Sequence, residues 1–335
     1  MLNNKSVLVT GGTGSFGKKF VEIVLQRYKP ARLIVFSRDE LKQYEMQSEY
    51  PEETGSPIRY FIGDVRDRER LYRAFDGVDV VVHAAALKQV PAAEYNPLEA
   101  IKTNILGAAN IIDAAVDRNV SKVVALSTDK ACNPINIYGA TKLCSDKLFT
   151  AARTYSGRHK TQFVVVRYGN VINSRGSVIP RFLELRETGK IPITHEKMTR
   201  FICTLEHSVN FVIDSIIEGS SGNIYVPKLP SVNILDLAKS VAPSCEIEIV
   251  GVRPGEKLHE TLISREDADR AVEFDESYAI QPHFLTHIDD KQIHERGRKC
   301  EEGFEYRSDT NNRMLSIEEI CDYLGSEKVM ESDPS

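Results

Sequence analysis

Ser6-Val7-Leu8-Val9-Thr10-Gly11-Gly12-Thr13-Gly14-Ser15-Phe16-Gly17 decides the fold. A short apolar strand runs into glycines at 11, 14 and 17, and a helical pattern follows from Ser15 to Tyr28. Glycines at this spacing permit a tight turn, a close backbone approach to a pyrophosphate, and tight packing of helix on strand. The helix N-terminus then presents backbone N–H groups to the phosphates. A glycine turn alone is commonplace; one set between a strand and a helix is a dinucleotide-binding signature.

Outward from this turn, strands and helices alternate. Strands are expected at Arg32–Ser37, Arg59–Ile62, Val78–His83, Lys122–Ser127 and Gln162–Tyr168. Helices are expected at Glu40–Glu49, Arg68–Phe75, Pro97–Arg118 and Ile137–Tyr155. The strands are near-continuous apolar runs, the pattern of a parallel sheet covered on both faces. The fold class is therefore α/β: a doubly wound parallel (Rossmann) sheet with a second, smaller lobe. The pattern loosens after Tyr168, with a helix near Leu205–Glu218 and one more strand of the main sheet at Asn223–Val226. Residues 1–169 read as the dinucleotide-binding domain, with 201–226 rejoining it. Residues 170–200 and 227–335 read as a substrate-binding lobe.

Composition excludes several classes. The 335 residues suffice for two domains at roughly 150 residues each. A chain 41% hydrophobic and 27% charged is neither disordered nor fibrous. Its net charge of −5 provides no bulk field for nucleic acid or anionic lipid, so neither is expected as a partner. The six cysteines include no C-x-x-C pair, which suits reduced thiols in a cytoplasmic protein. No run approaches the about 18 apolar residues of a membrane helix, and no targeting segment is apparent. His283, His287 and His294 lack accompanying carboxylates, so no metal is expected.

An NAD site usually places an acid about 20 residues beyond the glycines. Here that position is Ser37, followed by Arg38, with Lys42 one turn on. This pair would accept a 2′-phosphate and favours NADP; Asp39 and Glu40, close by, keep NAD open. Asp64-Val65, ending the third strand, would face the adenine. Tyr138 and Lys142 form a Y-x-x-x-K pair on one helix face. Ser127-Thr128-Asp129-Lys130 ends the fifth strand shortly before it.

The first half of the chain resembles the extended short-chain dehydrogenase/reductase superfamily. In that family the Tyr is the acid/base of hydride transfer, the Lys holds the nicotinamide ribose and lowers the Tyr pKa, and the Ser/Thr, here Thr128, orients the substrate hydroxyl. Asp129-Lys130 narrows the reading, because an acid beside an amine suits proton chemistry at two neighbouring carbons. The stretch S-T-D-K-A-C-N-P-I-N-I-Y-G-A-T-K (127–142) resembles the inverting UDP-N-acetylglucosamine 4,6-dehydratases that open pseudaminic acid synthesis for flagellin glycosylation. S-R-D-E-L-K (37–42), F-I-G-D-V-R-D (61–67), H-A-A-A-L-K (83–88), R-Y-G-N-V (167–171), S-R-G-S-V (174–178), M-T-R-F (198–201) and R-P-G-E-K-L-H-E (253–260) agree. Cys132 stands where that family's small Ala is expected. The likeness runs to about residue 282.

The resemblance implies that NADP is held by Gly11, Thr13, Gly14, Ser15, Phe16, Gly17, Arg38, Lys42, Asp64, Val65, Ala85, Lys88, Tyr138, Lys142 and Val171. It implies a UDP-sugar held by Lys88, Asn170, Arg175, Val178, Arg200, Arg253 and Glu256. Tyr138 would take the 4-hydroxyl proton as hydride leaves C4, Lys130 the C5 proton, and Asp129 would protonate the departing 6-hydroxyl before hydride returns to C6. Lys130 must then be neutral, through burial or cations such as Lys142, and Asp129 protonated. A close ion pair opposes both, so the two side chains are expected apart in the reactive state. The rivals are a capsule-pathway UDP-sugar dehydratase/epimerase, a nucleotide-sugar 4-epimerase, and a non-enzymatic NADP-sensing scaffold. The last usually lacks the Tyr or Lys, both present here. The resemblance further implies a homo-oligomer, hexamer or dimer, joined through helices 97–118 and 137–155. Ala108, Ala109, Ile112, Ala115, Val116, Leu143, Leu148 and Phe149 either supply that contact or all pack on the sheet within one subunit, and the sequence favours neither.

Overall fold

The computed structural model describes residues 2–53, 55–156, 159–172, 174, 177–282 and 296–326. Strands β1 (Ser6–Thr10), β2 (Arg32–Ser37), β3 (Ile58–Ile62), β4 (Val80–His83), β5 (Lys122–Thr128) and β6 (Gln162–Tyr168) lie in the order 3-2-1-4-5-6. All their pairings are parallel. The order reverses between β1 and β4, and a crevice for ligands opens at the carboxyl ends of strands at such a reversal.

Alternate side chains explain why these strands are apolar throughout. Leu8, Ile34, Phe36, Val81, Val123 and Val165 face one layer, against Leu71, Ile111 and Phe149 of the covering helices. Val7, Val9, Leu33, Val35, Val82, Val124 and Val166 face the other, against Phe20, Val24, Val209 and Val212. The sheet is thus wound on both faces, as expected.

Ile224–Pro227 continues the sheet parallel to β6. Beyond it come Ser277–Ile280, Ala271–Glu273 and Arg298–Lys299, all antiparallel, making ten strands among the described residues. The sequence does not show this pairing, because strands of two to four residues carry too few alternations to show which sheet they join. Thr199–Cys203, which overlaps the start of the 201–226 stretch, lies between Ser231–Asn233 and Asn170–Val171 in a small separate sheet. A distinct core of Ile179, Phe182, Ile191, Ile193, Leu237, Val241, Ile320 and Leu324 fills the second lobe.

The helix expected over 97–118 contains a π segment, Lys102–Leu106, between Pro97–Ile101 and Gly107–Asp117. Its apolar residues face inward. Ala108, Ile112, Ala115 and Phe149 are at most 1% exposed in the sheet core, and Val116 and Leu148 pack against it. Ala109 and Leu143 are half-buried. Ala108, Ile112, Ala115 and Phe149 are thus used within the subunit, and the exposed apolar residues nearby are Tyr95, Leu98, Leu106 and Ile135. Among the described residues no helix is long and apolar enough to cross a membrane, and no His/Cys/Asp/Glu group could hold a metal ion. His283, His287 and His294 lie outside the described residues.

Candidate active site

The glycine turn sits at the β1–β4 crevice. Gly11 has φ +66°, and a Cβ there would lie 3.0 Å from the Ala85 backbone, so only glycine suits the position. Thr13 and Ser37 hydroxyls hydrogen-bond each other at 2.9 Å, tying the turn to β2. Gly14 caps the helix Ser15–Arg27 with no side-chain cap and no acid in the first turn, which contains Ser15, Phe16 and Gly17. An anion is favoured at such a terminus. Ala85 donates its N–H to Thr10 Oγ1 at 3.3 Å.

At the end of β2, Arg38 is largely exposed and lies 3.7 Å from Asp64. Asp64 also accepts from Arg66 at 2.7 Å. Lys42 pairs with Asp39, whose other carboxylate oxygen caps the helix Glu40–Glu49 by accepting the Lys42 N–H. Val65 is buried beneath this edge.

The catalytic side chains converge at the end of β5. Thr128 donates to Asp129 Oδ1 at 2.9 Å, and its hydroxyl also hydrogen-bonds Tyr138. Asp129–Ala131 forms one 3₁₀ turn. Gly139 lets the Tyr138 helix rest on that turn, because a Cβ there would overlap the Lys130 carbonyl. Gly139→Ala is therefore expected to displace Tyr138 from Lys130. Turnover should fall about 100-fold, as misplacements near 1 Å do, while nucleotide affinity holds. Steady-state kinetics alongside calorimetric titration of nucleotide would show it; unchanged turnover refutes this role for Gly139.

Two expectations about this cluster were framed for the reactive state, and the resting arrangement differs from both. Asp129 and Lys130 are in contact, with Lys130 Nζ 3.0 Å from Asp129 Oδ1 and 3.2 Å from Glu260 Oε1. Asp129 is 1% exposed, and a buried carboxylate without a cation would be costly. Burial pulls the Lys130 pKa down, but Asp129 and Glu260 outweigh it and the net direction is up. Among the cations, Arg200 opposes this rise. Burial pushes the Tyr138 phenol up to about 12, against the pull of Lys130 and the Thr128 hydrogen bond. Lys142 is buried, gives its Nζ to the Leu126 carbonyl at 2.6 Å, and is not among the groups that lower Tyr138.

Lys88 stands close enough to Lys130 for their charges to repel, which with desolvation lowers its pKa. The π segment holds this loop. Asn104, 2% exposed, accepts from Leu87 N–H at 2.9 Å and donates to Leu87 carbonyl at 2.9 Å and Thr141 Oγ1 at 3.0 Å.

The residues expected around the substrate are less uniform. Asn170 and Val171 form the short strand beside Thr199–Cys203, and Asn170 Oδ1 is buried with no hydrogen-bond partner. Val178 opens the helix Val178–Arg186; Arg175 lies outside the described residues. Arg253 is exposed. Arg200 is 6% exposed and committed inward, donating to the carbonyls of Thr199, Leu258 and Lys257 and lying 3.5 Å from Glu256. It is not a free phosphate ligand in this structure.

Sequence reasoning missed a buried network under the catalytic turn. Asp146 accepts from Ser127 at 2.8 Å and from Arg167 at 3.2 Å; both ions are at most 2% exposed. It also missed Glu260. No spacing rule marks either, since each partner arrives from a distant segment.

The family model described as polysaccharide biosynthesis protein matches residues 7–282. UDP-N-acetylglucosamine 4,6-dehydratase (inverting) of Campylobacter jejuni serotype O:2 is 51% identical, covering 97% of this chain and 98% of that one. UDP-glucose 4-epimerase of Rickettsia canadensis is 40% identical, covering 97% and 96%. The X-ray structure of Pen from Bacillus thuringiensis superposes with a TM-score of 0.90 at 36% identity, covering 98% and 99%. With a Rossmann sheet, a Y-x-x-x-K helix and likeness over nearly its full length, the chain belongs to the polysaccharide biosynthesis protein family, in the branch that includes the inverting UDP-N-acetylglucosamine 4,6-dehydratases.

Proposed function

We propose that the protein is an NADP-dependent, configuration-inverting 4,6-dehydratase. On this reading it converts UDP-N-acetylglucosamine to the 6-deoxy-4-keto sugar of L-arabino configuration, the first step of pseudaminic acid synthesis. The observation that carries it is the contact of Asp129 with Lys130, within reach of Tyr138 and Thr128. Oxidation at C4 alone needs only Tyr138, Lys142 and Thr128. An extra acid and amine fit removal of a C5 proton and departure of a 6-hydroxyl.

The cradle fits a dinucleotide: the Gly11 backbone conformation, its close approach to Ala85, and the uncapped helix at Gly14 leave room for a pyrophosphate. Asp39 caps its helix and pairs with Lys42, while Arg38 is largely exposed at the end of β2, and it is this exposed guanidinium that supports a 2′-phosphate partner there. A bound nicotinamide supplies hydride transfer at C4 and C6. Tyr138 takes the 4-hydroxyl proton, and Thr128 orients that hydroxyl. Lys130 takes the C5 proton made acidic by the 4-ketone, Asp129 gives a proton to the 6-hydroxyl as it leaves as water, and C5 regains a proton on the opposite face, which sets the L-configuration. Asn170, with its unpaired Oδ1, together with Arg253, Glu256, Lys88 and Val178, faces the nucleotide sugar on this reading, in a cytoplasmic homo-oligomer.

Proton NMR of UDP-N-acetylglucosamine with enzyme in deuterated water tests the reading. A 6-deoxy methyl signal, deuterium at C5, L-configuration and no build-up of reduced nicotinamide are expected. Calorimetric titration should show NADP binding more tightly than NAD. A D-galacto product without a methyl signal would instead support the 4-epimerase reading, favoured by the Rickettsia relative.

A further inference from the structure

Glu260 has no part in the steps above, yet it is as deeply buried as Asp129, at 1% exposed. Its backbone is fixed on both sides by Ser308: the Glu260 N–H donates to Ser308 Oγ and the Glu260 carbonyl accepts the Ser308 N–H, each at 2.9 Å. The segment that delivers it is stitched to the catalytic turn twice more, by Lys257 Nζ on the Cys132 carbonyl at 2.6 Å and Asn136 Nδ2 on the Gly255 carbonyl at 2.8 Å. Glu260 Oε1 lies 3.2 Å from Lys130, while buried Oε2 has no hydrogen-bond partner and its cation Lys257 is 3.7 Å away.

We propose that Glu260 is a positioning residue for Lys130, its carboxylate holding the ammonium against Asp129 so that the pair keeps the one proton that dehydration needs. The resting pair is ammonium and carboxylate; the reacting pair must be amine and carboxylic acid. One proton moving along the 3.0 Å contact makes that exchange. The Lys130 N–H bond breaks, an Asp129 O–H bond forms, the electron pair stays on nitrogen, and no other donor is required. Lys130 faces Asp129 on its own turn, Tyr138 on the long helix, Lys88 on the loop after β4, Arg200 on the small sheet, and Glu260. Glu260 itself faces Arg200 at 3.9 Å and Lys257 at 3.7 Å. Without its charge, Lys88, Arg200 and Lys257 crowd Lys130 with Asp129 as the sole adjacent anion. The shared proton then escapes to solvent at lower pH, leaving an amine with no acid beside it. The proton belongs to the pair, so its loss appears as one alkaline limb.

The proposal rests on the dehydratase reading for its use of that proton, and the test separates the two. Lysine labelled with carbon-13 reports the Lys130 titration by NMR, its signal identified by loss in Lys130→Arg. In Glu260→Gln the midpoint should fall by about one pH unit or more. The alkaline limb of kcat should fall with it, KM should hold within about threefold, and Glu260→Asp should restore the limb. A midpoint and limb unmoved in folded Glu260→Gln overturn the proposal. If that variant does not fold, the native protein decides: a Lys130 midpoint above the ordinary value of about 10.4 upholds the proposal, and one below it overturns it. Should the native enzyme make no dehydrated product, the dehydratase reading fails while the titration still reports on Glu260.

Discussion

Tyr138→Phe is expected to cut turnover of UDP-N-acetylglucosamine by about 1,000-fold, within the about 10²–10⁴ that a positioned acid/base contributes. The substitution removes one hydroxyl and leaves the ring. Thr128 keeps its 2.9 Å bond to Asp129, and the Asp129–Lys130 contact does not involve the phenol. Stability should therefore move by no more than about 1 kcal/mol, the net worth of one hydrogen bond. The loss should fall on kcat rather than KM, because the phenol acts on a proton in flight. Rapid-quench kinetics with a thermal melt would check both halves. Turnover within threefold of the native enzyme, in a folded variant, would remove Tyr138 from the mechanism.

Arg167→Leu is expected to have the largest effect on stability, about 3–5 kcal/mol, the cost of stranding one member of a buried ion pair. Arg167 reaches Asp146 at 3.2 Å, donates to the Leu262 carbonyl at 3.0 Å, and lies 3.7 Å from Asp267. It thereby joins β6 to the long catalytic helix and to the second lobe. Leucine leaves the Asp146 carboxylate buried with the Ser127 hydroxyl, at 2.8 Å, as its hydrogen-bond partner among the described residues. Total stabilities run to about 5–15 kcal/mol, so this is a large fraction. Urea denaturation would measure it. Adding Asp146→Leu should recover part of the loss, since an apolar pair replaces the ionic one; a single-variant cost under about 1 kcal/mol would refute the assignment.

The main sheet was legible because its strands are nearly continuous apolar runs and its helices are amphipathic, which the alternation of Leu8 with Val7 and Val9 between two cores explains. The dinucleotide cradle, the Tyr138–Lys142 helix and the Thr128-Asp129-Lys130 turn were legible because each is contiguous in sequence. What was not legible depends on distant segments meeting. The Lys130 pKa is raised by Asp129 beside it and also by Glu260 from a distant segment, and the inward commitment of Arg200 comes from carbonyls at 257 and 258. The π segment escaped because Lys102–Leu106 differs from an α-helix only in hydrogen-bond register. Which neighbour covers the apolar helix residues was not legible, because a period alone does not say what packs on a face.

The late strands have a consequence for how the chain is made. β6 is completed with Tyr168, but its outer edge is covered only by Ile224–Pro227, and that strand in turn waits for Ser277–Ile280. On a ribosome, the nascent Rossmann half therefore carries an open, apolar parallel edge until much of the second lobe has emerged. Long-range parallel pairing is slow, and unpaired edges invite association with other chains. The antiparallel ribbon ending at Arg298–Lys299 is the last part of the sheet to be synthesised, and it finishes the edge with two exposed basic residues, the composition that discourages further strands from adding.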